Sequence, residues 1–404
     1  MSKWPLKRLK DITSKIGSGA TPRGGKNGYK VEGITFIRSL NIYDFSFTEE
    51  GLAHIDDEQA AELDNVTVQK DDILLNITGA SVARCCLANP RFLPARVNQH
   101  VAIVRVRPEV ADPRFVMYCI NSPHYKSRLL ALAQGGATRE ALTKTTIEDF
   151  EAPHPPLSVQ RRIGAILSAY DELIENNQRR IKILEEMARS LYREWFVHFR
   201  FPGHDKVKMV PSSLGPIPQG WEVKPLGALA TVTMGLSPKG DTYNEDENGT
   251  PLVNGPVEFG DRFTKRVKWT TEPTKFCKEG DLVVCVRGST TGKYVKSDGM
   301  YCLGRGVCGI SSKYQCFIER LFENQLPTLL GQTSGSTFPS WTGPQLKSHP
   351  VPSPPLEVLA RFDALVKPMS AAVLGYSRQI QNLRRTRDLL HPRLLLGQLT
   401  ETIS

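Results

Sequence analysis

The stretch from Val286 to Tyr294 reads VRGSTTGKY and resembles part of a phosphate-binding loop. A phosphate-binding loop has the pattern G-x-x-x-x-G-K-[ST], because its N–H groups surround the phosphates, its Lys reaches the terminal oxygens and its hydroxyl binds Mg²⁺. Here only three residues separate Gly288 from Gly292, and Tyr294 stands in place of the hydroxyl residue. The spacing therefore argues against a nucleotide site. A stand-alone nucleotide-dependent enzyme that uses this loop stays open as an alternative to the functions inferred below.

Other catalytic patterns in the sequence are also incomplete. Methyl transfer to a base amine uses an [ND]-P-P-[YF] cluster and a Gly-rich cofactor loop, and neither pattern is evident. The stretch from Gly17 runs into Pro22 without the third glycine of a dinucleotide-binding loop. His100 and His349 have no partnered nucleophile in the sequence. We therefore predict no catalytic residue.

The cysteines do not have the spacing of a metal site. None of the eight forms a C-x-x-C pair, so we expect reduced, buried thiols and no bound metal. Zinc binding by Cys302, Cys308 and Cys316 is the weaker alternative, because no suitably spaced His joins them.

Composition indicates a multidomain globular protein. The chain has 404 residues, enough for two or three domains, with 40% hydrophobic and 23% charged residues. There is no apolar run of about 18 residues and no signal peptide at the start, so we expect a cytoplasmic protein without a membrane segment. A net charge of +10 favours a polyanionic partner such as nucleic acid.

An internal repeat decides the organisation. Residues 72–84 align with residues 281–293 at a constant shift of 209 (281 minus 72), so VRGSTTGKY has a counterpart, which contains no Gly-Lys. Each copy is predicted to be an acidic turn, a buried strand and a small-residue loop that ends in a cation. Trp4–Leu9 resembles Trp221–Leu226, Gly17–Pro22 resembles Gly235–Pro238, and 136–157 aligns with 335–356. Two copies of one module therefore fill most of the chain.

A long helical pattern follows each Pro-Pro-Leu. Apolar residues recur in alternating steps of four and three, which is the spacing of a coiled-coil seam. We predict that the two helices, each spanning roughly 60 Å, pair as a rod that holds the modules apart. The predicted seam consists of Ile163, Leu167, Ile174, Ile181, Leu184 and Leu191 in the first helix and Val366, Val373, Ile380, Leu383 and Leu390 in the second.

Polar residues and a proline interrupt the two helical patterns, and a connector separates the first helix from the second module. Asn177 and Arg387 occupy seam positions, where they either fix register or lie in solvated layers. Pro368 is expected to kink the second helix or to start a new one, because its ring removes a backbone hydrogen bond. The connector at 200–220 is rich in turn residues and is not expected to form a folded unit.

The segments of the chain are, in order, a module, PHPPLSVQRRI at 153–163, a long helix, LGPIPQGW at 214–221, a second module and a second helix. In this order of its segments the chain resembles the specificity subunit of type I restriction-modification enzymes. The resemblance implies an α+β chain with two similar mixed α/β target-recognition domains separated by two long antiparallel coiled-coil helices. The predicted boundaries are 1–155 and 221–354 for the domains, 156–199 and 355–399 for the helices, and 200–220 for the linker.

The resemblance also implies partners and a division of labour. Each domain would recognise one half of a split, asymmetric target in double-stranded DNA, and the helices would dock methyltransferase subunits, two per chain. S-adenosylmethionine would belong to those subunits, and ATP and Mg²⁺ to a restriction subunit, so no cofactor is expected on this chain. A non-specific nucleic-acid scaffold is the remaining alternative.

Candidate DNA contacts were chosen by chemistry, because the family's recognition domains vary too much for motifs to be transferred. Arg grips guanine and Asn or Gln grips adenine with two hydrogen bonds, whereas Lys and Thr more often hold phosphates. The candidates are Arg23, Lys26, Arg38, Asn41, Ser81, Arg84, Asn98 and Gln99 in the first module and Lys239, Asn254, Arg287, Thr290, Lys293 and Arg305 in the second.

Overall fold

The structure is a computed structural model that describes residues 4–134, 140–333 and 339–399, with backbone alone for residues 26 and 27. The chain forms two compact units, and each is discontinuous in sequence. The first unit comprises Met1–Asn177 and Gln379–Ser404, and the second comprises Gln178–Arg378. The division falls inside the long helices, whereas the sequence predicted boundaries at their ends. Each unit therefore holds one module and a part of both helices.

The first module is built on two four-stranded sheets and a two-stranded ribbon. The sheet orders are β2-β11-β8-β9 and β6-β3-β10-β7, and β1 pairs with β12 in the ribbon. In the second sheet β3 and β10 run parallel. The strands are β1 (Leu6–Arg8), β2 (Thr13–Ser18), β3 (Ile34–Ile37), β4 (Ile42–Tyr43), β5 (Ser46–Phe47), β6 (Ala53–Ile55), β7 (Thr67–Val68), β8 (Ile73–Asn76), β9 (Cys85–Leu87), β10 (Ala95–Val97), β11 (Val101–Val106) and β12 (Glu151–Pro153).

The helices of this module are α1 (Asp57–Glu62), α2 (Pro113–Asn121), α3 (Pro123–Gln134) and α4 (Lys144–Glu148). Three of them, α2 to α4, cover one face of the first sheet, whereas α1 packs in the core of the second sheet. The uninterrupted apolar run of β8 is explained by burial on both faces, because alternate side chains point to opposite sides of a sheet. Ile73 and Leu75 face the core under α2 and α3, whereas Leu74 lies in a second core with Phe36 and Ile37.

The second module repeats this topology. Its first sheet has the order β16-β24-β21-β22, its second has the order β17-β19-β18-β23-β20, and β15 pairs with β25. Here β18 and β23 are the parallel pair. The strands are β13 (Met209–Val210) and β14 (Ile217–Pro218) in the connector, then β15 (Glu222–Pro225), β16 (Thr231–Met234), β17 (Tyr243–Asn244), β18 (Thr250–Val253), β19 (Trp269–Thr270), β20 (Phe276–Cys277), β21 (Leu282–Cys285), β22 (Tyr294–Lys296), β23 (Tyr301–Leu303), β24 (Val307–Ser311) and β25 (Pro350–Ser353).

The connector is folded, contrary to the prediction. Its strands β13 and β14 form an antiparallel ribbon, and Phe201 and Ile217 lie in the same core as Trp221. These few large apolar residues anchor a segment whose composition otherwise indicates turns.

The long helices are α5 (Leu157–Tyr192) and α9 (Leu356–Leu395), and α5 continues as a π-helical turn, Arg193–Val197. The shorter helices of the second module are α6 (Leu226–Leu229), α7 (Gln315–Gly331) and α8 (Gly343–Ser348). In the first unit, Leu167 near the start of α5 shares a core with Leu394 near the end of α9. In the second unit, Tyr192 at the end of α5 shares a core with Leu359 near the start of α9. Within each unit the two helices are therefore antiparallel.

The predicted seam residues are all buried or half-buried. The polar side chains at seam positions also have partners. The Asn177 side-chain amide donates to Gln379 Oε1 at 3.2 Å, and Arg387 pairs with Asp171. Helix α9 is not divided at Pro368, so the expectation of a new segment there is wrong. Within the residues that the structure describes, none of the helices combines the length and the hydropathy needed to cross a membrane.

Candidate nucleic-acid interface

The two aligned loops have the same backbone hydrogen bonds. In the first module Ala83 N–H donates to Asn76 O at 2.9 Å, and in the second Gly292 N–H donates to Cys285 O at 2.9 Å. Gly79 and Gly288 both adopt the left-handed conformation, with φ of 73° and 80°, and start equivalent turns. We call residues 77–84 and 286–293 the twin loops. Each connects two antiparallel strands, β8 to β9 or β21 to β22.

This geometry does not fit a phosphate cradle. A phosphate loop leads into a helix and leaves its N–H groups free, whereas the second twin loop leads into strand β22. Its N–H groups are also used by the protein: Gly288 donates to Pro339 O, Thr291 to Gly288 O and Lys293 to Thr290 O. The Thr291 hydroxyl donates to Pro339 O at 2.8 Å.

Two further loops reach the edge where each twin loop lies. In the first module the Asn76 amide donates to Ser39 O at 2.9 Å and to Ser81 Oγ at 3.1 Å, which ties the loop after β3 to the twin loop. The β10–β11 turn joins them, because Ile77 N–H donates to His100 O at 3.0 Å. We call this the recognition edge of the first module.

The second module has an equivalent recognition edge. Val286 N–H donates to Gly306 O in the β23–β24 turn at 2.9 Å. A Cβ on Gly306 would lie 2.2 Å from Asn254 O, so the loop after β18 packs directly against that turn. Glycine is required at this position because a side chain would separate the two loops.

Hydrogen bonds define which residues are equivalent in the two modules. Asn98 N–H donates to Ile37 O, and Gly304 N–H donates to Val253 O. The residues one position after the bonded ones are therefore equivalent in the two modules. The matching hydrogen bonds of the twin loops define further pairs, and the paired residues carry different side chains. The pairs among the candidates are Arg38 with Asn254, Gln99 with Arg305, Ser81 with Thr290, and Arg84 with Lys293.

The candidates differ in exposure. Gln99 is exposed at the first edge, and Arg287, Lys293 and Arg305 are exposed at the second. Arg23 and Lys239 are also exposed, and each lies near an acidic side chain, Glu62 or Glu272. Ser81, Arg84, Arg38, Asn254 and Thr290 are half-buried. The side chain of Lys26 lies outside the described residues.

Two predicted contacts have internal roles. Asn41 is fully buried and accepts from Arg38 N–H at 3.0 Å, while its amide donates to Thr48 O and Glu50 O. Asn98 is 7% exposed, and its Oδ1 accepts from His100 N–H at 3.2 Å. Asn41 uses both its side-chain oxygen and its amide inside the module, so the prediction of a base contact there does not fit the structure. A base contact by Asn98, whose oxygen alone is used in this way, stays a prediction.

Sequence reasoning also missed two residues that organise the edge. Glu258, 4% exposed, is the counterpart of Asn41, because its carboxylate accepts from Asn254 N–H at 3.2 Å. Tyr43 supports a candidate cation, since the Arg84 guanidinium lies 5.0 Å from the centre of its ring. The available signal for Glu258 was a polar residue four or five positions after the end of β3 or β18.

Among the described residues, no group of three or more His, Cys, Asp or Glu side chains has the geometry of a metal site. All eight cysteines are free and buried, as the sequence predicted. Burial raises the pKa of the Cys86 thiol to about 12.

Comparison with known proteins then identifies the family. Residues 1–186 and 218–363 match the family described as type I restriction modification DNA specificity domain. The chain belongs to this family. The two matched segments correspond to the two modules, each with a part of its following helix.

Relatives in the family extend over almost the whole chain. The putative type I restriction enzyme MjaX specificity subunit of Methanocaldococcus jannaschii is 24% identical, over 98% of this chain and 93% of the relative. The MjaIX specificity subunit of the same organism is 25% identical over the same shares. The crystal structure of a type I restriction-modification system S subunit from M. genitalium has the same fold, with a TM-score of 0.68, 15% identity, and coverage of 97% of this chain and 96% of that one.

Proposed function

We propose that this chain is the DNA-recognition subunit of a type I restriction-modification complex, in which each module recognises one half of a bipartite, asymmetric target. The observation that supports this most directly is the pair of recognition edges, which share one backbone framework but differ at equivalent side chains. A common framework with different donors and acceptors suits two different half-sequences.

The charge of the second edge supports contact with DNA. Arg287, Lys293 and Arg305 are exposed there, and the chain as a whole carries a net charge of +10. Cations placed against phosphates release counterions, which makes binding strong and dependent on salt. Arg305 can also form two hydrogen bonds to guanine.

In this proposal the long helices fix the spacing between half-sites and dock two methyltransferase subunits. The chain itself is not catalytic: the methyltransferase subunits supply S-adenosylmethionine, and a restriction subunit supplies the ATP and Mg²⁺ chemistry. The proposal draws on the twin loop, whose hydrogen bonds leave no phosphate cradle, and on family membership.

The deciding experiment assembles the chain with its methyltransferase subunits in cells and maps which adenines become methylated. An interrupted sequence with two unlike halves is the expected result. Methylation without sequence preference would instead support a non-specific scaffold and reject the proposal. ATP turnover by the purified chain is expected to be negligible, and robust turnover would favour the nucleotide-dependent enzyme.

A double substitution tests the second edge. Arg287→Ala with Lys293→Ala is expected to weaken target binding by the assembled complex about tenfold and to lower the slope of log affinity against log salt by up to 2. The matched control is Lys278→Ala with Lys313→Ala, which removes exposed cations beyond the opposite ends of β21 and β24. Equal effects of the two double variants would remove the twin loop from the interface.

A further inference from the structure

An exposed aliphatic side chain occupies the same position at both recognition edges. Leu40 is 45% exposed and Val257 is 65% exposed. Each lies in a 3₁₀ turn, Ser39–Asn41 or Pro256–Glu258, and immediately precedes the buried residue that anchors the turn. Neither residue is among the DNA contacts predicted from the sequence, because those were chosen for polar and charged side chains.

The anchors fix the direction of these two side chains. Asn41 holds the first turn by hydrogen bonds to the backbone of Arg38, Thr48 and Glu50. In the second turn Glu258 accepts from the N–H groups of Asn254 at 3.2 Å and Gly255 at 3.1 Å. With the anchor buried, the preceding residue is held at the surface of the turn.

Isolated exposed aliphatic residues are common on proteins and need no explanation. Here, however, the exposure recurs at equivalent positions while the neighbours have diverged from Ser39-Leu40-Asn41 to Pro256-Val257-Glu258. Both residues also follow a member of the same structural pair, Arg38 or Asn254, at the recognition edge. This repetition at the edge indicates a shared role in recognition.

The chemistry of base edges identifies the contact. In the major groove the only apolar group on a base edge is the C5 methyl of thymine, and aliphatic side chains pack against it. Insertion between base steps is the other use of an aliphatic residue, but it employs longer side chains or Pro. Val257 is short and β-branched, so a methyl contact fits both modules.

We propose that Leu40 and Val257 each contact the C5 methyl group of a thymine in the half-site that their own module recognises. This inference rests on the proposed function.

The test replaces each target thymine in turn by deoxyuridine, which lacks the methyl group, and measures binding of the assembled complex. One position in each half-site is expected to weaken wild-type binding about fourfold, the value of one methyl group removed from water. With Leu40→Ala, the penalty is expected to disappear in one half-site and to persist in the other. Val257→Ala is expected to give the reciprocal result.

The control variants are Val31→Ala and Met300→Ala. Val31 is 98% exposed and Met300 59% exposed, and they precede β3 and β23, at the ends of those strands opposite the recognition edges. Both are expected to keep the full deoxyuridine penalty. All four variants replace exposed side chains, so unfolding midpoints should match that of the wild type.

Two results would overturn the inference while leaving the proposed function intact. These are wild-type binding that is indifferent to deoxyuridine, and deoxyuridine penalties that persist in Leu40→Ala and Val257→Ala. The last result, combined with a loss of affinity on every sequence, would indicate insertion between bases. Equal wild-type binding to target and random duplexes would reject the proposed function itself.

Discussion

Asn41 shows how a single buried polar side chain can determine the shape of a loop, here the loop after β3. Its three hydrogen bonds to backbone groups lie between 3.0 and 3.2 Å, and the residue has no exposed surface. Removing the side chain would leave one N–H and two carbonyl groups without their partner. Such groups cost free energy when water cannot replace the partner.

We therefore expect Asn41→Ala to lower the free energy of unfolding by about 1–3 kcal/mol. The measurement is denaturant unfolding of the wild type and the variant. Gln99→Ala is the control, because its exposed side chain should change stability by no more than about 0.5 kcal/mol. Equal stability of Asn41→Ala and wild type would show that the loop does not depend on this anchor.

Side-chain chemistry alone selected both Asn41 and Gln99, although one is buried and the other is exposed. The sequence gives the donors and acceptors of a residue but not whether a neighbouring backbone already uses them. Burial here is decided by the turn after β3, which packs on β8 through the Asn76 amide. That contact joins residues 37 positions apart and leaves no local pattern.

The cysteines provide a second prediction at the residue scale. Burial raises the pKa of Cys308 to about 12 and that of Cys316 to about 11. Because the thiolate is the reactive form, only roughly one in 10⁴ of the Cys308 thiols is ionised at pH 8. We expect a thiol reagent at pH 8 to react slowly with the folded chain and with all eight cysteines after denaturation. Rapid labelling of the folded protein would contradict this.

At the scale of elements, the seam of α5 and α9 was predictable because alternating steps of four and three report one helix face directly. The continuity of α9 through Pro368 was not. Proline in a helix interior costs about 3 kcal/mol, but burial of the neighbouring seam residues Val366 and Val373 offsets that cost. Local propensity cannot show how much packing a distant partner supplies.

The Arg387–Asp171 pair gives a prediction for the helices in the first unit. The two side chains are 12% and 17% exposed, and the Arg387 guanidinium lies 4.4 Å from the centre of the Phe45 ring. Arg387→Met would leave the Asp171 carboxylate without its cation, and we expect it to lower stability by about 3 kcal/mol. The double variant Asp171→Leu with Arg387→Met should lose less.

Denaturant unfolding of the single and double variants measures this coupling. Arg384→Met on the same helix is the control, since Arg384 is exposed and should tolerate the change. A double variant that is less stable than Arg387→Met would show that the ion pair is not what links the two positions.

Glu319 gives a prediction for pH dependence in the second unit. Burial alone would raise its pKa, but Lys296, 2.7 Å away, and Arg320 outweigh that effect and hold the pKa below the usual 4.5. A lowered folded-state pKa means that the unfolded chain binds the proton first. The carboxylate therefore adds stability at neutral pH that is lost as the pH falls below about 4.5 and through the lower folded value.

We expect Glu319→Gln to be less stable than the wild type at pH 7 and to lose less stability between pH 5 and pH 3. The measurement is the unfolding free energy of both chains across this range. Glu357→Gln, which changes an exposed carboxylate at the start of α9, should follow the wild-type curve. Parallel curves for wild type and Glu319→Gln would show that this carboxylate does not contribute to the acid sensitivity.

At the scale of the whole molecule, the duplication was visible in the sequence because both copies keep the buried strand, the turn glycine and the Pro-Pro-Leu that precedes each helix. Equivalences such as Arg38 with Asn254 were not visible, since the paired residues share no chemistry and become equivalent only through the hydrogen bonds of β10 and β23. The discontinuous units were hidden for a similar reason. Each draws helix segments from distant parts of the chain.

This duplication predicts that a chain made of two first units would recognise a symmetric target. In the design, residues 377–397 replace 178–198 and residues 4–177 replace 221–376, so both helices receive the same junction after Asn177. Every transplanted core then keeps the partners that it has in the first unit, such as Leu167 with Leu394. Under the proposed function, two identical modules should recognise the same half-sequence, and an antiparallel pair of identical helices has two-fold symmetry.

Methylation mapping in cells that also express the methyltransferase subunits should therefore find an interrupted palindrome built from one half of the original target. The reciprocal chain, made of two second units, is the matched control and should give a palindrome of the other half. Both outcomes are expected if each module recognises its half-site independently and the helices set only the spacing between the modules. If the complex formed with either chain still methylated the original asymmetric sequence, recognition would depend on residues outside the modules. The assignment of one half-site to each recognition edge would then be wrong.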